Sequence, residues 1–167
     1  MKGAKIAIGA ALCAIAVPAH AGWEYAEWGM SPEEVAAASS GSVEVSAYDP
    51  ESVLYGNPQR AIGSGKYMGA PVDVRFYFDP KVNALRNIDL VPERSDCARV
   101  RDNMIDTFGA IDPSDEVITL DDGTPLDQTV WEWTDPENGD QVEFLQVTTK
   151  SVLLLCKVLV VSPDTRR

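Results

Sequence analysis

Val72-Asp73-Val74-Arg75-Phe76-Tyr77-Phe78-Asp79-Pro80 alternates core-type and polar side chains with a period of two, the pattern of a strand with one buried face. Asp79-Pro80-Lys81-Val82-Asn83 then turns the chain into a second strand over residues 84–91, so the stretch reads as a hairpin. A further hairpin joins 129–134 to 141–148, across a loop in which Asn138-Gly139 accommodates positive φ angles. Thr149-Lys150 leads into a last strand over 151–161.

Two helices accompany these strands. In Met30-Ser31-Pro32-Glu33-Glu34-Val35, Ser31 caps a helix, Pro32 suits its first position, Glu34 completes a capping box, and Met30 and Val35 are spaced as a hydrophobic staple. That helix should run through Ala36, Ala37 and Ala38 and stop at Ser39-Ser40-Gly41. A second should start near Ser95, with Asp96 in its first turn, an apolar stripe of Cys97, Val100, Met104 and Phe108, and Gly109 as its stop. The elements sort into two similar halves, each a short helix followed by a meander of about three strands. Phe76-Tyr77-Phe78-Asp79-Pro80 echoes Trp131-Glu132-Trp133-Thr134-Asp135-Pro136. The expected fold is therefore α+β, an antiparallel sheet built from two helix-plus-meander halves with the helices packed on one face.

Residues 1–21 read as a cleaved signal peptide: Lys2 and Lys5, an apolar run over 6–17, then Ala19-His20-Ala21 before Gly22. The apolar run is too short for a membrane anchor, which needs about 20 residues. The remaining residues, 22–167, make a single exported α+β domain, periplasmic or secreted. Cleavage would remove Cys13 and His20, the only histidine, and with it every mechanism that needs imidazole. It would also move the formal charge from −12 to −14. So acidic a chain disfavours nucleic acid and anionic membrane, and suits solubility or a basic partner. Cys97 and Cys156 remain, and in an oxidising compartment one disulfide is the expected outcome.

The tandem layout, the acidic exported chain and the helix-opening Trp28-Gly29-Met30-Ser31 resemble the β-lactamase-inhibitor-like superfamily, which also holds small outer-membrane-assembly lipoproteins. The resemblance is at the level of fold and implies protein binding, often through the open face of the sheet. The chain departs from the lipoproteins in having no cysteine at the end of the leader.

Patterns with catalytic or metal-binding potential resolve into structural ones. Asp112, Asp115, Glu116, Asp121, Asp122 and Asp127 place six acids in sixteen residues, yet lack the spacing of a calcium loop and read as turn formers. Ile62-Gly63-Ser64-Gly65-Lys66 lacks the ending of a phosphate loop, and its glycines serve a turn, a bulge or close strand approach. No metal, nucleotide or other cofactor motif is present, and no catalytic residue is assigned. Trp131 and Trp133 share a strand face expected to lie under a helix.

The leading expectation is a non-catalytic protein-binding module, inhibitor-like or adaptor-like, whose partner is another envelope or extracellular protein. A carboxylate-dependent hydrolase of envelope glycan, and a structural envelope protein that self-associates into a homo-oligomer, are the alternatives. Alternation along 151–161 places Val152, Leu154, Cys156, Val158 and Val160 on one face. If Cys156 bonds Cys97 beneath a helix, Leu153, Leu155, Leu159 and Val161 fall on the opposite face with Lys157. That apolar row, with Tyr77 as neighbour, is the candidate binding face.

Overall fold

The computed structural model describes residues 23–163; the expected signal peptide over 1–21, with Cys13 and His20, lies outside the described residues. The described chain begins with an irregular segment carrying Trp23, Ala26 and Trp28, followed by α1 (Pro32–Ala38). Strands β1 (Val43–Val45), β2 (Val53–Leu54), β3 (Asn57–Tyr67), β4 (Ala70–Asp79) and β5 (Ala84–Pro92) come next. A single 3₁₀ turn (Arg94–Asp96) opens α2 (Cys97–Phe108), and β6 (Ser114–Thr119), β7 (Pro125–Thr134), β8 (Gln141–Thr149) and β9 (Val152–Val161) complete the chain. The Ser31–Glu34 capping box forms as its residues dictate, and Cys97, Val100 and Met104 are the buried stripe of α2.

The expected division into two helix-plus-meander halves does not hold. Half of the described residues are strand and only 16% helix, and the described strands make one sheet of nine, ordered β1-β3-β4-β5-β9-β8-β7-β6 with β2 paired to β3. The uniting seam is antiparallel pairing of β5 with β9, Asn87 opposite Val161 through Leu90 opposite Val158. This seam is non-local, and it places Ile88, Leu90, Val158 and Val160 fully inside the same core. One cluster therefore holds Val35 of α1, Cys97, Val100 and Met104 of α2, and Val74, Phe76 and Phe144 of the sheet.

On β3 the core-facing positions Ala61, Gly63 and Gly65 have almost no side chain, and their place is taken by groups from outside the strand. A Cβ on Gly65 would sit 2.5 Å from Cζ2 of Trp23, and one on Gly63 2.7 Å from Cγ2 of Val43. The glycines thus admit Trp23 and the Val43 side chain of the neighbouring strand β1, which is why the Gly-Ser-Gly run lies within a strand. Cys97 and Cys156 form the expected disulfide, with Cα atoms 6.0 Å apart, tying the first residue of α2 to β9.

Candidate functional site

Alternation along β4 sends Val72, Val74 and Phe76 to the core and Asp73, Arg75 and Tyr77 to the opposite, outer face. On β9 the same rule puts Cys156, Val158 and Val160 inside and Lys157, Leu159 and Val161 outside. The outer face around β4, β5 and β9 is nonetheless well covered. Tyr77 is 6% exposed, Leu159 4% and Val161 0%, so three of the five expected binding-face residues are inaccessible. Residues 51–54 approach this face, lining a cleft together with Arg75, Tyr77, Asp89 and Lys157. Ser46 N–H donates to the Arg60 carbonyl, Gln59 N–H donates to the Ser52 carbonyl, and β2 runs against β3. Asn57 Nδ2 also donates to Asn87 Oδ1 at 2.7 Å in the buried layer.

Leu153 is displaced for another reason. Val147 stands opposite Leu155, but Thr148 stands opposite Leu153, so an irregularity at Leu154 reverses the alternation. Leu153 therefore packs, half-buried, against the core cluster rather than on the outer face. Of the five residues only Leu155 is open to solvent, at 38%.

Between residues 51–54 and the sheet lies an open cleft of about 540 Å³ lined by Arg75, Tyr77, Asp89 and Lys157. Asp89 is buried, with Lys157 Nζ at 3.5 Å from its Oδ1. Burial pushes its carboxyl above the usual range, an effect that the Lys157 and Arg75 charges only partly offset. The Tyr77 hydroxyl is also pushed up, first by burial and then by the Asp89 charge. At 3.5 Å the contact with Lys157 is long for a hydrogen bond, and charge attraction dominates it. This is a carboxylate held among cations. Among the described residues no three or more histidine, cysteine, aspartate or glutamate side chains converge on a possible metal site.

The sheet ends differently at β6. All six residues of Ser114–Thr119 are exposed, and among the described residues only β7 pairs with this strand. Leu120 N–H donates to the Thr124 carbonyl, and the register from Thr119–Pro125 back to Ser114–Val130 is unbroken. Backbone parity therefore turns the amides and carbonyls of Ser114, Glu116 and Ile118 toward β7 and those of Asp115, Val117 and Thr119 toward solvent. Beside this edge the outer face carries two cross-strand rows, Glu116-Gln128-Val147-Leu155 and Ser114-Val130-Leu145-Lys157. Val130, Leu145 and Val147 are half-buried there, and Ile118 is exposed opposite Leu126.

The sequence pattern reads the acids of 112–127 as turn formers. Asp115 and Glu116 instead lie on β6, Asp127 lies on β7, and Asp121 and Asp122 make the connecting turn. The available signal for β6 was the short β-branched run Val117-Ile118-Thr119. Trp131 and Trp133 are on the core face as expected. Trp133 donates to the Gly109 carbonyl and lies 5.9 Å from the Phe108 ring, while Trp131 packs near Phe144 with the Arg101 guanidinium 6.0 Å from its ring centre.

Comparison with family models, with curated proteins and with solved structures finds no match for this chain, and none of the three bears on the superfamily resemblance.

Proposed function

We propose that this protein is a non-catalytic protein-binding module of the periplasm or the extracellular space, and that it meets its partner at the β6 end of the sheet. The observation that carries this reading is the open β6 strand beside half-exposed apolar side chains of β7, β8 and β9. An unpaired strand edge and a contiguous apolar surface are both features that partners cover. The Cys97–Cys156 disulfide fits a compartment outside the reducing cytoplasm, and no helix among the described residues is long and apolar enough to cross a membrane. Absence of catalysis is part of the proposal: the only histidine is in the leader, and Cys97 and Cys156 are bonded to each other.

Photo-crosslinking in the native host tests this. A photoreactive residue in place of Leu155 should yield a discrete adduct with another protein, and one in place of Val82, an exposed residue of the β4–β5 turn, should not. Absence of any adduct from Leu155 or Val117 overturns the reading.

A further inference from the structure

No lysine or arginine occurs between Arg101 and Lys150, and the intervening residues carry 13 of the 26 acids. This stretch contains the whole of β6, β7 and β8, so one wing of the sheet is acidic without any compensating cation of its own. Its terminal strand offers solvent the backbone amides and carbonyls of Asp115, Val117 and Thr119. Val117 is 64% exposed and Leu120, just beyond the strand, 45%. Such an edge is a template for an incoming strand.

We propose that the β6 edge binds an extended lysine- or arginine-rich segment of a partner protein by strand addition. Charge selects this occupant. A second copy paired at the same edge would bring its own Asp115 and Glu116 against the same acids, and like charges across a strand pair are destabilising. A basic strand instead gains ladder hydrogen bonds from the backbone and charge complementarity from Asp112, Asp115 and Glu116, while alternate apolar side chains meet Val117 or the Ile118 face. The inference rests on the protein-binding reading and names the partner's chemistry.

The test uses the full mature chain and a blocked peptide of about eight residues alternating lysine with valine, long enough to span β6. Controls are a glutamate–valine peptide and a lysine peptide with proline in place of the valines. The lysine–valine peptide should bind with strong salt dependence and should slow hydrogen exchange at the amides of Asp115, Val117 and Thr119; the controls should do neither. Val117→Pro removes one outward donor without touching the β6–β7 ladder, and should weaken binding about tenfold or more. Glu116→Lys keeps the backbone intact and should weaken binding at low salt, which decides the matter should Val117→Pro fail to fold.

Equal binding of the proline-containing peptide reduces the interaction to charge attraction and overturns strand addition, as does failure of the lysine–valine peptide to bind. A native partner still crosslinked in the Val117→Pro protein at an undiminished level overturns the strand inference and leaves protein binding standing. Loss of all adducts from the unaltered edge overturns the protein-binding reading itself.

Discussion

Replacing both half-cystines by alanine should cost a large share of the stability of this fold, about 4 kcal/mol. The bond closes a loop with a sequence separation of 59 residues. In the chain-entropy account, a loop of that size restricts the unfolded chain by about 4 kcal/mol at room temperature. The native Cα separation of 6.0 Å falls within the ordinary range for a disulfide, so no backbone distortion is expected to offset that gain. Alanine is the appropriate replacement, because both half-cystines are buried and an added hydroxyl would put a polar group into the core. With a urea slope of about 2 kcal/mol/M, the midpoint of the Cys97→Ala/Cys156→Ala protein should fall by about 2 M, and the slope should rise somewhat because the unfolded chain loses its cross-link. Urea unfolding followed by circular dichroism measures this, with the reduced wild-type protein as a second arm. A fall of less than about 0.5 M in both arms would refute the argument, since the restraint on the unfolded chain would then be contributing little.

Asp89→Asn should alter the pH dependence of stability. Burial raises the Asp89 carboxyl above its ordinary value of 3.8, so the folded chain holds this proton more tightly than the unfolded chain. Its contribution to stability is then fully present below the ordinary value and declines as pH rises through the raised one. The variant lacks that decline: its stability relative to wild type should grow over that window, and a flat difference in urea midpoints across pH 4–8 would contradict the assignment. Gly65→Ala should cost about 1–3 kcal/mol, because the new methyl meets the buried Trp23 ring at 2.5 Å. A red-shifted tryptophan emission should accompany the loss, and unchanged melting would show that Trp23 is not seated on β3. Asn57→Ala removes the donor to Asn87 Oδ1 in a buried layer and should cost about 2 kcal/mol by thermal melting; no change would mean that water replaces the bond.

What was legible in this sequence follows from which strands bury one face and which do not. Residues 72–78 alternate because β4 faces the core on one side, and the capping box at Ser31 and the stripe on α2 are equally local signals. β3 carries no such signal, because its core-facing positions are Ala61, Gly63 and Gly65 and the apolar groups that fill the space, Trp23 and Val43, come from elsewhere in the chain. Strict alternation puts Leu153 on the wrong face, because the pairing of β9 with β8 slips at Leu154. Tyr77 reads as open because nothing in the sequence of residues 51–54 announces that this segment returns beside it. The two-halves reading failed at β5 and β9, whose pairing joins residues about seventy positions apart and leaves no local pattern.

The edge strand β6 escaped sequence analysis for the reason that gives it functional interest. A strand exposed on both faces and along one edge has no buried positions to generate a period, so its acids resemble those of a turn. The structure places Asp115 and Glu116 in a ladder with β7, where they no longer serve only to keep a loop soluble. There they guard the open amides against a second acidic edge while leaving them available to a basic one. The charge asymmetry between Arg101 and Lys150 could be counted from the sequence; that its acids border a strand with one open edge required the register. Selectivity at this edge therefore arises from the two together, the backbone supplying a generic template and the acidic wing restricting what can use it.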